Sequence, residues 1–182
     1  MGVPSGATRP VLIPPGSEVG FLGDAAIPAD LYFVAHQPVE IIGMGFPSRI
    51  DWQLLWERGV HHVVCLTHDA DVPYDATPLT THAFGLQDLF TRPAGPDDPD
   101  RERAVIARAA QVVVDAVHAG EGVAVHCRGG RGRVGTVLGV ALVRLGHAPA
   151  DVVTWFDRLH RTRGKGGWPE SPWQAEVVRG TR

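Results

Sequence analysis

The sequence contains few cysteines, no excess of positive charge and no long apolar run. Two cysteines among 182 residues are too few for a disulfide framework, so we expect a reducing, cytoplasmic setting. A formal net charge of -3 argues against general nucleic-acid binding, which needs a basic protein. The most apolar run, Val134–Val143, is much shorter than the roughly 20 residues of a membrane span. The N-terminal residues also lack the apolar segment of a signal peptide. We therefore expect no integral membrane segment.

The remaining pattern alternates strands and helices. Residues 1 to 29 are rich in glycine and proline, which indicates an irregular N-terminal arm, and residues 30 to 182 read as one domain. Strands are predicted over 31–34 and 39–42, as a hairpin, and over 62–66, 80–87 and 122–126. Helices are predicted over 51–58, 100–119, 133–145 and 149–161, with a last short one from Ser171. This order predicts an α/β fold, a single domain with a mostly parallel central sheet flanked by helices.

A loop rich in glycine and arginine joins the predicted strand 122–126 to the next helix. His126 ends the strand, Cys127 follows, and Arg133 opens the helical pattern; the residues between are Arg128, Gly129, Gly130, Arg131 and Gly132. Backbone N–H groups of such a loop can point at a ligand beside a helix N-terminus, where the helix dipole favours anions. Glycine permits positive φ angles and close approach of the backbone. The loop is therefore predicted to bind phosphate.

Cys127 and Arg133 are the two residues of this loop that could react with a bound phosphate and hold it during the reaction. The same field favours the thiolate of Cys127, which is the nucleophilic form. The planar guanidinium of Arg133 can hold two phosphate oxygens, which lysine cannot do equally well. We predict in-line attack of sulfur on phosphorus, followed by release of phosphate by water. The alternative, a core cysteine near a surface arginine, does not account for the complete string.

The run from His126 to Arg133 resembles the signature of cysteine-dependent protein tyrosine and dual-specificity phosphatases. It is especially similar to the branch of kinase-associated phosphatases and phosphatase-and-tensin-type lipid phosphatases. The resemblance covers roughly residues 38 to 178, and the loop is its most specific part. It implies a protein tyrosine phosphatase-like fold, with Cys127 as nucleophile and Arg133 as the phosphate-binding and transition-state residue. It also implies an aspartic acid on a separate loop as general acid.

The general acid must protonate the leaving oxygen, because an alkoxide or phenoxide leaves slowly at neutral pH. Asp88 follows a predicted strand and precedes Pro93, a context that resembles the family's movable acid loop. It lies farther from Cys127 than is usual in the family. Asp97 and Asp98 fit the spacing better but belong to a loop that reads as solvated. Asp88 is the preferred candidate, and a purely loop-capping role for it is the alternative.

One residue departs from the family pattern. The family usually has serine or threonine directly after the arginine, where the hydroxyl helps the thiolate to leave. This chain has Val134 there, and Thr136 lies on a different side of the helix. We expect the departure to affect breakdown of the phosphoenzyme more than its formation.

Other residues are supporting candidates. His126 precedes the nucleophile, and Gln174 corresponds to a glutamine that positions the hydrolytic water in some relatives. The alternative for Gln174 is a capping box with Ser171. Cys65 resembles the second cysteine that joins the nucleophile on oxidation in lipid-type relatives, and a plain buried cysteine is the alternative. Arg128 and Arg131 occupy positions that are basic in lipid-type relatives, so they favour a polyanionic substrate or offer general attraction to phosphate.

These observations predict a phosphomonoester hydrolase that acts through a cysteinyl-phosphate intermediate, of the dual-specificity protein phosphatase type. The partner is then a phosphorylated protein or a small phosphorylated molecule. The alternatives are a phosphoinositide or inositol-phosphate phosphatase, and a pseudophosphatase that binds phosphate without turnover. A sulfur-transfer or arsenate-reducing enzyme also uses a reactive cysteine loop, but the histidine-led, glycine-rich loop argues against it. No cofactor is expected, and no metal site, because the histidines lack metal-ligand spacing.

Overall fold

The computed structural model describes residues 9–16 and 30–182, and its centre is a five-stranded sheet. The strands are β1 (Leu31–Ala35), β2 (Ile41–Met44), β3 (Val60–Cys65), β4 (Thr80–Ala83) and β5 (Gly122–His126). Their order across the sheet is β1-β2-β5-β3-β4. The β1–β2 hairpin is antiparallel and every other pair is parallel, so the predicted α/β class with a mostly parallel sheet is confirmed.

Five helices flank this sheet, at α1 (Trp52–Glu57), α2 (Pro99–Ala119), α3 (Gly132–Arg144), α4 (Pro149–Thr162) and α5 (Pro172–Arg179). All five agree with the sequence-based prediction to within a residue or two. Helix α2 has clear end signals, because the Asp98 side chain accepts a hydrogen bond from Arg101 N and Gly120 closes the helix with a φ of 76°.

The core has a layer on each face of the sheet because strand side chains alternate in direction. Val123 and Val125 belong to the larger layer, which contains residues from α2 to α5. Ala124 belongs to the smaller layer, which includes Leu55 of α1. Strand β5 is therefore buried on both faces, and only its carboxyl end is available for a site.

The predicted strand 80–87 was too long, since β4 ends at Ala83. Beyond it, Phe84 N and Leu86 N still donate to the carbonyls of Cys65 and Leu66, but the pairing is irregular. The Asp69 side chain accepts a hydrogen bond from Gly85 N and interrupts the ladder. Asp88 consequently lies in a loop and not at a strand end.

Residues 9–16 lie against the edge strand β1. Leu12 forms a bridge with Ala35, Ile13 N donates to Val34 O, and Trp155 Nε1 donates to Ile13 O at 2.8 Å. The rest of the predicted arm, 1–8 and 17–29, falls outside the described residues, so the boundary at residue 30 stays a prediction. In the described ranges, no helix is long and apolar enough to cross a bilayer.

Candidate active site

The loop after β5 lies at the carboxyl end of a central strand, where ligands bind in sheets of this kind. Phe46 N donates to Arg128 O at 3.0 Å and Cys127 N approaches Met44 O at 3.4 Å, so the end of β2 holds the loop. Gly130 has a φ of 69°, and a Cβ there would lie 2.6 Å from Gly45 N. The loop can therefore take this path only with glycine at 130.

A second contact fixes the same turn. The buried Tyr32 hydroxyl donates to the Gly130 carbonyl at 2.8 Å. Helix α3 begins two residues later at Gly132, whose own carbonyl accepts from Thr136 Oγ1 at 2.8 Å and from Trp168 Nε1 at 3.2 Å. The loop is thus bonded to both the sheet and the helical layer before any ligand binds.

Above the loop is a pocket of about 480 Å³. Seven of the residues predicted for the site line it, namely Cys127, Arg128, Gly129, Arg131, Gly132, Arg133 and Asp88. The lining also includes residues that the sequence did not single out, which are Phe90, Lys165, Gly166 and Glu170. Cys127 is only 3% exposed and is a free thiol. Gly130, His126, Gln174 and Cys65 do not line the pocket.

The two predicted catalytic side chains other than cysteine contact each other. Arg133 donates from one terminal nitrogen to Asp88 Oδ2 at 2.9 Å and from the other to Leu86 O at 3.2 Å. The remaining oxygen of Asp88 accepts from Phe90 N at 3.1 Å. Arg133 is nearly buried, with 11% of its side chain exposed, whereas Asp88 is 49% exposed. Asp88 therefore lies at the mouth of the pocket with the arginine beneath it.

The alternative acids have structural contacts and do not line the pocket. Asp97 accepts from Gln87 Nε2 at 2.7 Å and from Arg92, and these bonds lower the pKa of its carboxyl. Asp98 caps helix α2. The capping role of Asp98 could be predicted from the sequence, because Pro99 follows it at the first helical position.

Arg131 is paired with a carboxylate. Its Nε donates to Glu170 Oε1 at 2.9 Å, and its guanidinium lies 5.7 Å from the centre of the Phe90 ring. Both members of the ion pair are largely buried, at 16% and 13% exposure. Part of the charge that Arg131 would offer to a substrate is therefore already neutralised. Arg128 differs, since it is exposed and its side chain makes no hydrogen bond or ion pair with a described residue.

His126 is completely buried behind the nucleophile. The Tyr74 hydroxyl oxygen lies 2.6 Å from its Nε2, and its Nδ1 faces Cys127 O at 3.4 Å. Burial, together with the charges of His68 and Arg133, lowers the pKa of His126 to about 4. Burial is also the main cause that raises the pKa of Tyr74, followed by the nearby Cys65. Since a carbonyl oxygen can only accept a hydrogen bond, neutral His126 carries its proton on Nδ1, toward Cys127 O, and its Nε2 accepts from Tyr74.

Cys65 and Gln174 each have local partners. Cys65 is buried and pairs in register with His126, and its Sγ lies 3.3 Å from Thr67 Oγ1. A redox role for it stays a prediction. The Gln174 side chain is 1% exposed and forms the capping box of α5 with Ser171, its Oε1 accepting from Ser171 N and Glu170 N. Its role toward water stays a prediction as well.

Val134 and Thr136 do not supply the hydroxyl that is usual after the arginine. Val134 is fully buried in the larger core layer. The Thr136 hydroxyl is bonded within its own helix, to Gly132 O. Neither side chain presents a free hydroxyl to Cys127. Among the described residues, no group of three or more His, Cys, Asp or Glu side chains could hold a metal ion.

A cysteine and an arginine joined by a glycine-rich loop, at the end of a parallel strand and facing an aspartate, define the cysteine-based phosphatase class. The chain belongs to the family of the Swiss Army Knife protein, DSP-PTPase phosphatase domain, whose model matches residues 32–166. It is thus a member of the dual-specificity protein tyrosine phosphatase superfamily, as its loop signature indicated.

Solved structures share the fold at low identity. One similar structure is TpbA of P. aeruginosa in complex with pTyr, at 18% identity and a TM-score of 0.56, covering 86% of this chain and 88% of that one. Another is kinase associated phosphatase, at 17% identity and a TM-score of 0.55, covering 77% of this chain and 84% of that one. A third is PTPMT1 in complex with PI(5)P, at 16% identity and a TM-score of 0.54, covering 76% of this chain and 87% of that one.

Proposed function

We propose that this protein hydrolyses phosphate monoesters through a cysteinyl-phosphate intermediate on Cys127. The observation that carries the proposal is the single pocket lined by Cys127, Arg133 and Asp88. Membership of a phosphatase family supports it. In this proposal Arg133 exchanges its contact with Asp88 for two phosphate oxygens, which a guanidinium can hold with parallel hydrogen bonds.

The first step follows from this placement. The Cys127 thiolate attacks phosphorus, the bond from phosphorus to the ester oxygen breaks, and Asp88 in its protonated form donates a proton to that oxygen. Release of Asp88 from Arg133 frees its carboxyl group to face the leaving oxygen. Arg133 and the loop N–H groups stabilise the charge on the transferring phosphoryl group.

The charge of the pocket supports a substrate with a single phosphate. Four cationic side chains and two carboxylates line it, a surplus of two positive charges. The surplus is the same with Cys127 as thiolate and Asp88 protonated, and it matches one phosphate dianion. Arg131 is held by Glu170, so it adds little for a second phosphate. Phe90, 65% exposed at the pocket, offers apolar contact to an aromatic or peptide leaving group.

We therefore propose a dual-specificity-type protein phosphatase acting on phosphorylated side chains. A phosphoinositide or inositol phosphate is the second candidate, because the cations Arg128 and Lys165 also line the pocket. Lys165 Nζ forms an ion pair with Asp30 Oδ1 at 3.4 Å, whereas the Arg128 side chain has no partner among the described residues.

The test compares wild type with Cys127→Ser on p-nitrophenyl phosphate, and then wild type on matched panels. The panels are phosphotyrosine and phosphoserine peptides, soluble inositol phosphates, and phosphoinositides in vesicles. We expect hydrolysis that depends on Cys127 and the highest kcat/KM on phosphopeptides. Full activity of Cys127→Ser would overturn the mechanism, and binding without turnover by wild type would assign the chain as a pseudophosphatase. A preference for multiply phosphorylated inositols would overturn the substrate class.

A further inference from the structure

A second pocket, called the side pocket below, lies at the segment that joins β2 to α1. Its volume is about 310 Å³, and residues 44–50 line it together with Asp30 and Leu31. None of these residues lines the pocket that contains Cys127, which is called the phosphate pocket. The proposed reaction therefore leaves the side pocket without a role.

The two pockets share a wall. Arg128 lines the phosphate pocket, and its backbone carbonyl accepts a hydrogen bond at 3.0 Å from the N–H of Phe46, which lines the side pocket. Lys165 of the phosphate pocket forms an ion pair with Asp30 of the side pocket at 3.4 Å. The Phe46 ring also packs edge-on against His126, with ring centres 5.9 Å apart. A ligand that extends from the phosphate pocket past Arg128 therefore meets the side pocket next.

The chemistry of the side pocket differs from that of the phosphate pocket. Its charged side chains are those of Asp30 and Arg49, so its net charge is zero, whereas the phosphate pocket has a surplus of two positive charges. All its other side chains except that of Ser48 are apolar, namely Leu31, Met44, Phe46, Pro47 and Ile50. The Phe46 ring is 40% exposed, so a large apolar surface is accessible. The side pocket therefore suits an apolar group and not a second phosphate.

The size of the side pocket suits a single side chain, since its volume is at the lower end of the range of ligand pockets. An extended polypeptide advances by about 3.3 to 3.6 Å per residue. A residue within about three positions of a phosphorylated one can therefore reach a pocket that adjoins the phosphate pocket. A soluble inositol phosphate carries only hydroxyl and phosphate groups and has no apolar group to place there.

We propose that the side pocket is a substrate subsite, which binds an apolar side chain close in sequence to the phosphorylated residue of a polypeptide substrate. This inference rests on the proposed function and adds a sequence preference to it. The apolar side chain would contact Phe46 and Ile50 and would be removed from water there. Because it does not take part in the reaction, it contributes equally to binding of the substrate and of the transition state. Its effect is therefore expected in KM rather than in kcat.

The experiment measures hydrolysis of phosphotyrosine peptides that have glycine at the three positions on either side. Leucine then replaces one glycine at a time. We expect leucine at one position to raise kcat/KM by about tenfold over the glycine peptide, mostly through KM, as burial of its side chain predicts. The ratio of the two peptides is the readout, because the glycine peptide reports on the phosphate pocket alone.

Two variants test whether the side pocket produces this ratio. Ser48→Trp places a large ring at an exposed residue of its lining, and the leucine-to-glycine ratio should fall to about one. Ile50→Ala enlarges the side pocket, and the preferred residue should change from leucine to tryptophan, which general damage to the fold does not produce. Thr81→Trp is the matched control, because Thr81 is exposed on the edge strand β4 and lines neither pocket. It should keep the wild-type ratio.

Equal rates for all the peptides would overturn the inference, as would a leucine preference that Ser48→Trp leaves intact. A dioctanoyl phosphoinositide is the second probe. If Ser48→Trp slows its hydrolysis and does not alter the peptide ratio, the side pocket takes an acyl chain and the inference is wrong. These results leave the proposed hydrolysis standing when wild type still acts through Cys127. A wild type without Cys127-dependent turnover overturns both.

Discussion

The nucleophile loop and the acid loop face each other across one pocket, but they are held in different ways. Residues 127–131 are bonded through backbone groups to the end of β2 and by Tyr32, and Cys127 is 3% exposed. The acid loop reaches the pocket with Asp88 half exposed and Phe90 65% exposed, held by side-chain contacts with Arg133 and Arg131. A ligand can compete for those arginines, whereas it does not compete for the backbone bonds. The first loop is therefore held independently of a ligand, whereas Asp88 and Phe90 can exchange their contacts with the two arginines for contacts with a ligand.

The largest effect should come from Arg133, the residue that joins the two loops. Arg133→Lys loses the paired hydrogen bonds to phosphate and cannot hold both Leu86 O and Asp88, so we expect kcat/KM to fall by about 1,000-fold. Steady-state hydrolysis of p-nitrophenyl phosphate measures it. Arg108→Lys, on the exposed surface of α2, is the control and should leave the rate unchanged. A loss of less than tenfold would contradict the role of Arg133.

Asp88→Asn tests the acid loop itself. We expect a loss of about 100- to 1,000-fold on a phosphopeptide, whose leaving group needs a proton, and a much smaller loss on an activated aryl phosphate. The measurement is kcat/KM across a series of aryl phosphates of increasing leaving-group pKa. Equal losses along the series would mean that the acid is another residue.

Gly130→Ala tests how firmly the nucleophile loop is held. The φ of 69° and the 2.6 Å approach to Gly45 N predict a loss of more than about 2 kcal/mol in the free energy of unfolding. Gly129→Ala is the matched control for stability, because a Cβ there meets no atom within 4 Å. Urea denaturation of both variants gives the difference. Similar midpoints for the two would show that the loop path is not constrained at 130.

Acid should weaken the support of the nucleophile loop. Burial lowers the pKa of His126 to about 4, and burial with the nearby charges of Arg163, Arg131 and Lys165 lowers that of His160 to about 3. In the unfolded chain both take up protons near pH 6.5, so stability is lost as pH falls below 6.5, by up to about 1.4 kcal/mol per pH unit for each histidine. Above pH 6.5 this contribution to stability is complete.

His160→Phe checks this slope at a residue that does not line the pocket. His160 packs edge-on against Tyr32, which holds the Gly130 carbonyl, and no described residue bonds its buried Nε2. We expect the variant to lose stability less steeply between pH 6.5 and 4 than wild type, by thermal unfolding at each pH. His118→Gln, at an exposed site, should keep the wild-type slope. An unaltered slope in His160→Phe would contradict the prediction.

The smallest effect should be that of Phe90→Ala on stability. Because the ring is 65% exposed, we expect less than about 0.5 kcal/mol in the free energy of unfolding, together with a rise of a few fold in KM for phosphopeptides. Leu89→Ala, one residue earlier and 2% exposed, should cost about 2 kcal/mol or more. Comparable losses in the two variants would mean that Phe90 anchors the acid loop and does not serve the substrate.

Much of this site could be predicted, because its loop is continuous in the chain. Cys127, Arg133 and the glycines between them lie in one run, and the helical pattern after Arg133 indicates where α3 begins. Asp88 is harder to identify from the sequence, since irregular pairing obscures the end of β4 and Asp97 and Asp98 compete for the role. No local pattern in the sequence points to a role at the site for Phe90, Lys165, Glu170 or Tyr74. Glu170 stands four residues before Gln174 in a segment whose pattern indicates a helix cap, and nothing there points to phosphate.

Local patterns in the chain are enough to predict the α/β fold, the positions of the helices, and a loop that carries a cysteine and an arginine in the spacing of a phosphatase. Those features depend on local periodicity and on residues close together in the chain. Tertiary packing sets which carboxylates line the pocket, pairs Arg131 with Glu170, and places the Tyr74 hydroxyl at His126. Such contacts join segments up to 52 positions apart, and their distances depend on how the sheet and helices pack. No local pattern contains that information.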